Sequence, residues 1–133
     1  MSKTSDLAAR YSALTDALDD LYNNLITLGQ NGLATQVQIA NDKVAQAVVD
    51  LAGLDAIDRL TNPQDQQVLA DLTKTMNDKN DDISKQEARV TAVVGIVDNL
   101  ANVVTNFAGG NIVAAVTAAS GALSGLKALP SGA

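Results

Sequence analysis

The residue types that most enzymes use for chemistry are scarce in this chain. Among 133 residues there is no histidine, cysteine or tryptophan, and Glu87 is the only glutamate. Histidine and cysteine are the usual general base, activated nucleophile and transition-metal ligand. We therefore predict that the protein has no catalytic residue, binds no cofactor and is not an enzyme.

One acidic segment has the spacing of a metal site. Asp78-Lys79-Asn80-Asp81-Asp82 places oxygen ligands at positions one, three and five, as an EF-hand loop does. The pattern fails at position six, where Ile83 replaces glycine, and at position twelve, where Arg89 replaces the bidentate glutamate. We predict no metal site and interpret the segment as an exposed acidic part of a helix.

The overall charge bears on partners and location. The formal net charge is −6, and the nine basic residues are dispersed along the sequence. The net negative charge repels a phosphate backbone, so we predict no nucleic-acid partner. The dispersed basic residues form no polybasic patch for anionic lipid. The N-terminus lacks the apolar segment of a secretory signal peptide, and we expect a cytoplasmic location, with leaderless secretion left open.

Apolar residues recur at alternating spacings of four and three, which is typical of helices that pack by heptads. The pattern predicts helices over about 4–28, 33–60, 63–107 and 111–128. A turn is predicted at residues 29–32, Gly-Gln-Asn-Gly, and an N-cap at Thr61 or Asn62, with Pro63 as the first residue of the next helix. The first two stripes are Leu7, Tyr11, Leu14, Leu18, Leu21, Leu25, Leu28 and Leu33, Val37, Ala40, Val44, Ala47, Leu51, Leu54. We predict one all-α domain over 1–133, an elongated antiparallel up-and-down four-helix bundle with coiled-coil-like packing.

The third segment allows two interpretations. Its apolar spacing continues in phase from Leu69 to Phe107, through a run of poor helix formers, and this continuity favours one helix of about 45 residues, or nearly 70 Å. The alternative is a break near residue 80, with a restart at the capping box formed by residues 84–87.

The last third of the chain is a predicted apolar hairpin. Residues 108–111, Ala-Gly-Gly-Asn, suggest a helix end, a turn and a new N-cap, and no charge occurs between Asn99 and Leu126. In the second arm only Thr117, Ser120 and Ser124 are polar, so we expect neighbours to cover this helix nearly all round. Asp98, in the first arm, is expected to be solvated.

The second arm also carries a GxxxG motif, Gly121 to Gly125, on a ridge of small residues that would allow close helix packing. We predict that this helix is the interface with a partner. The interface residues of this hypothesis are Ala114, Ala118, Gly121, Gly125, Leu123 and Leu126. The partner is expected to be another copy of the chain or another helical protein.

Two functions follow as hypotheses. The first is a non-enzymatic protein of interaction or self-assembly. The second is a membrane-active protein that inserts the hairpin 90–126, although 112–126 is shorter than the ~20 residues of a membrane span. In outline, a helical rod that ends in an uncharged hairpin resembles the α-helical pore-forming and translocator proteins of bacteria. That resemblance concerns architecture and implies membrane insertion.

Overall fold

The computed structural model describes residues 3–130, and they form five α-helices packed against each other. The helices are α1 (Lys3–Thr27), α2 (Asn31–Ala52), α3 (Pro63–Ile83), α4 (Val90–Ala108) and α5 (Ile112–Ala128), with a short 3-10 helix (Glu87–Arg89) before α4. The all-helical prediction is confirmed. The number of helices is five rather than four, because the third predicted segment is divided.

The helices form a closed ring in which each packs on two neighbours, in the spatial order α1, α2, α4, α5, α3. Their apolar stripes meet in the middle, where leucine, valine and alanine supply most of the buried side chains. Tyr11 crosses this core from α1, and its hydroxyl donates a 2.7 Å hydrogen bond to the Leu100 carbonyl of α4. The core therefore joins helices that are not neighbours in the ring.

The single helix predicted over 63–107 is wrong, so a helix of nearly 70 Å gives no support to an elongated bundle. α3 ends at Ile83, the chain turns through residues 84–86, and α4 begins at Val90. The in-phase positions Ile83, Gln86 and Val90 are all buried, because the link passes over the end of the core. The burial of these three positions therefore explains why the apolar spacing continues in phase, although the helix itself is interrupted. The longest helix, with 25 residues, is about 38 Å long.

α2 is also shorter than predicted, because it ends at Ala52, before Gly53, rather than near residue 60. Ile57 and Leu60 remain buried outside any helix. In the same link the Asp58 carboxylate accepts hydrogen bonds from the backbone amide and the hydroxyl of Thr4, at 3.2 and 3.0 Å. The link thus covers one end of the core and provides an anion at the N-terminus of α1.

The predicted turns are confirmed. Gly29 and Gly110 have φ values of 77° and 79°, a conformation that favours glycine. Pro63 is the first residue of α3, and the Asn62 side chain accepts from the Gln64 amide at 2.8 Å. Asn111 caps α5 in the same way, through the Ala114 amide. These local signals begin or end helices independently of the packing around them.

Candidate functional site

The titratable residues do not converge on a catalytic centre in the described part of the chain. Asp98 is half-exposed and pairs with Lys43 of α2 at 2.9 Å, so it is not simply solvated as expected. Such exposed pairs contribute little to stability. Between residues 3 and 130, no group of three histidine, cysteine, aspartate or glutamate side chains is placed to hold a metal.

The acidic segment 78–82 lies within α3 and is helical throughout. Its middle residue, Asn80, is buried rather than exposed, and its amide donates to the Arg10 carbonyl of α1 at 3.1 Å. The segment therefore packs α3 on α1. Lys79, one residue earlier, donates to the Leu129 carbonyl at 2.8 Å.

The environment of Tyr11 strongly changes the pKa of its hydroxyl. Its side chain is fully buried, and burial raises the pKa of the hydroxyl well above its usual value. It therefore stays protonated and donates to the Leu100 carbonyl. Its position in the core, away from solvent, makes it a packing residue.

The structure turns most of the predicted interface ridge inward. Leu126 is fully buried, Gly121 is exposed, and the others are half-buried: Ala114, Ala118, Leu123 and Gly125. A Cβ on Gly125 would lie 2.7 Å from Cγ1 of Ile96, and one on Gly121 would lie 3.1 Å from the Asn99 amide. The glycine ridge thus allows α5 to approach α4 of the same chain.

α5 nevertheless has a side that no other helix of the described chain covers, so a neighbour on that side would have to come from outside the chain. Its fully buried line is Ala115, Ala119, Ala122 and Leu126. The exposed side carries Thr117, Ser120 and Ser124, together with Val113, which is 79% exposed. Small hydroxyl residues make that side acceptable to water without any charge.

This exposed side continues onto α4, because Asn99 of α4 lies against Gly121 of α5. Together the two helices present an uncharged surface, which we call the hairpin face. It consists of Thr91, Ala92, Gly95, Asn99, Asn102, Val113, Thr117, Ser120, Gly121 and Ser124. Its nearest charges in sequence are Arg89, Asp98 and Lys127, and Asp98 lines the same groove as Asn102.

Gly95 is the unusual residue of the hairpin face. It is exposed in the middle of α4, and a Cβ there would meet nothing within 4 Å. Glycine at an exposed interior helix position costs about 1 kcal/mol relative to alanine. Nothing within the described chain requires its small size. The sequence pattern contains this signal, a glycine inside an amphipathic helix, but it does not reveal whether the position is open.

A second surface feature is a groove of 480 Å³ between α2 and α4. Ala47, Ala101 and Val104 contribute its apolar lining, and the ion pair between Lys43 and Asp98 crosses it. Asp50 adds a second carboxylate, and the remaining lining side chains are polar and uncharged. The groove marks a loosely packed seam beside the hairpin.

One described stretch, Glu87–Ala108, is long and apolar enough to cross a membrane, by length and composition alone. It contains α4, one side of which lies in the core. α5, with 17 residues, is shorter than such a span.

Comparison with family models, with curated protein sequences and with solved structures gives no match to this chain. Function is therefore inferred from the chain's own residues and their placement.

Proposed function

We propose that this protein is a non-enzymatic helical bundle that acts by protein–protein interaction, and that it associates with a second copy of itself through the hairpin face. The observation that carries the proposal is the contrast in charge across the molecule. Most of its 24 charged residues belong to α1, α2, α3 and their links, whereas the hairpin face has none. Two copies of net charge −6 repel each other least when these faces meet.

Gly95 also favours the hairpin face as the surface of association. A mid-helix glycine with open space above it allows another backbone to come close, as small residues do at helix–helix contacts. Asn99 and Asn102 lie on the same face and offer amide groups that both donate and accept. Such groups suit a self-complementary contact, in which each copy presents the same surface to the other.

The size of the hairpin face predicts the strength of association. Two helices about 27 Å long and about 10 Å apart present about 500 Å² per copy. A pair would bury about 1,000 Å², which is the lower limit for a specific interface. We therefore expect reversible association. We also propose that α1 packs on α2 in a coiled-coil-like way, because the buried residues of both helices alternate at spacings of four and three.

The test is sedimentation equilibrium over a wide concentration range, with a matched pair of variants. Ser120→Lys places a charge in the hairpin face, and Ser12→Lys makes the same change on the exposed side of α1. We expect the wild type and Ser12→Lys to increase in mean mass with concentration and Ser120→Lys to remain monomeric. A wild type that stays monomeric at millimolar concentration, or two variants that associate equally, would refute the proposal.

The alternative function is membrane insertion of the hairpin 90–126, favoured by the span-length stretch Glu87–Ala108. Flotation with vesicles and release of an entrapped dye distinguish it from self-association. Binding and release that require the hairpin would favour insertion. Failure of both between pH 5 and 8, with neutral and anionic lipids, would exclude it.

A further inference from the structure

A pocket lies between α1 and α3, on a part of the molecule separate from the hairpin face. Its volume is 280 Å³, and Leu7, Ile57 and Leu69 contribute an apolar, nearly fully buried lining. Ala70 is exposed at its edge. Drug-sized ligands generally occupy pockets of about 300–1,000 Å³, so this one suits a smaller molecule. No aromatic side chain lines it, so a flat ring would find nothing to stack on.

Two of the four polar residues of the pocket are lysines, one is Asp6 and one is Thr73. Lys3, Lys74 and Asp6 lie on its wall. The groove continues along α1 and α3 through a second hollow of 290 Å³, lined by Arg10 as well as by Asp6 and Lys74. Three of the nine basic residues but one of the fifteen acidic residues therefore line one groove. The rest of this acidic molecule has the opposite balance.

Asp6 offsets one of the three positive charges that line the groove and leaves two in excess. Among residues 3–130, no carboxylate lies within ion-pair distance of Lys3, Arg10 or Lys74. The Arg10 guanidinium donates to the neutral side chain of Asn77 instead. Positive charge beside an apolar hollow is complementary to a ligand with an anionic end and an aliphatic end.

We propose that this groove binds a short alkyl carboxylate, with its aliphatic chain in the pocket and its carboxylate beside Lys74 and Lys3. A water molecule occupies about 30 Å³ in the liquid and a methylene group is of similar size, so 280 Å³ holds at most about nine carbons, and the outer ones stay in contact with solvent because the pocket is open. Each methylene that becomes fully buried should tighten binding about fourfold. Affinity should therefore rise from hexanoate to octanoate and level off beyond about nine carbons.

The experiment is an NMR titration of the labelled protein with hexanoate, octanoate and decanoate below their micelle concentrations. Saturable shifts are expected in residues 3–10, near Ile57 and in 69–77. Octanol, which has the same chain length without a charge, should bind more weakly than octanoate. Shifts confined to α4 and α5, or shifts that never saturate, would overturn the proposal.

Variants test the two ends of the ligand separately. Ala70→Leu should fill the edge of the pocket and weaken octanoate and octanol alike. Lys74→Gln should weaken octanoate about two- to fivefold, the range for an exposed ion pair, and leave octanol unchanged. Lys127→Gln, an exposed lysine on α5, is the matched control. Equal octanoate affinity in Lys74→Gln and Lys127→Gln would refute the role of the cation, and an unaffected Ala70→Leu would refute the pocket.

Discussion

Gly95 and Gly125 are both glycines within helices, but they differ in the space available to a side chain. Gly95 is open, whereas a Cβ on Gly125 would lie 2.7 Å from Cγ1 of Ile96, which is 4% exposed. Because Ile96 is held in the core, it cannot move aside freely. Comparing substitutions at the two positions therefore separates the cost of glycine in helix propensity from the close packing that requires a glycine.

We predict that Gly95→Ala stabilises the fold by about 1 kcal/mol, because alanine is the better helix former. Gly125→Ala makes the same substitution and should instead destabilise the fold by about 1–3 kcal/mol, the usual cost of overpacking. Urea denaturation followed by circular dichroism measures both. A stabilising Gly125→Ala would mean that α5 lies farther from α4 than the structure places it.

The second residue-scale prediction concerns Tyr11 and alkaline pH. Burial raises the pKa of its hydroxyl in the folded state above the ordinary value of about 10. The unfolded chain therefore loses this proton first, so the contribution to stability is complete below pH 10 and declines as the pH rises beyond it. The decline approaches about 1.4 kcal/mol per pH unit.

Tyr11→Phe should remove that dependence. The variant also loses the hydrogen bond to the Leu100 carbonyl, so it should be less stable at pH 8 by about 0.5–1.5 kcal/mol. Thermal unfolding of both proteins between pH 8 and 11 checks the prediction. Because lysines also titrate in this range, only the difference between the two slopes is informative, and equal slopes would contradict a buried Tyr11.

At the scale of elements, the link between α3 and α4 also contacts Pro130, which follows α5. The buried Gln86 side chain donates to the Pro130 carbonyl at 2.9 Å and to the Asp82 carbonyl at 3.2 Å. Leu129, beside it, is buried. The break that divides the predicted long helix is thus a contact between α3 and the residues that follow α5.

We predict that Gln86→Leu destabilises the fold by about 0.5–1.5 kcal/mol, because the Pro130 carbonyl loses its side-chain donor, whereas the Asp82 carbonyl still accepts from the Lys85 amide. The Leu129 amide, which donates to the Leu126 carbonyl, should also exchange faster with deuterium. Gln64→Leu is the matched control, since Gln64 is exposed on the first turn of α3. If both variants were equally stable, the link would have no role in holding this end of the chain.

At the scale of the whole molecule, the acidic charge should oppose association. Two copies of net charge −6 repel over about 30 Å at 10 mM salt but only about 8 Å at 150 mM. We therefore predict tighter self-association at the higher salt concentration, measured by sedimentation equilibrium. Ser120→Lys should stay monomeric at both. Dissociation on adding salt would instead indicate an interface built on ion pairs.

The sequence by itself determined the local features of this protein. Helical periodicity placed α1 and α5 within one residue of their observed bounds, and Gly29, Asn62, Gly110 and Asn111 marked the turns and caps. These signals are local because backbone conformation and capping depend on neighbours a few residues away. The sequence also shows directly that histidine and cysteine are absent.

Only the tertiary structure decided which surfaces face each other. Heptad phase continued through Ile83, Gln86 and Val90 because all three are buried, and burial does not distinguish a helix from a link that crosses the core. Likewise, the sequence could not tell that Gly125 meets Ile96 while Gly95 is open. The gathering of dispersed cations in one groove also depends on how α1 lies beside α3. Contacts between residues that are distant in sequence arise from packing. Helical periodicity indicates which side of a helix is buried but not which other element covers that side.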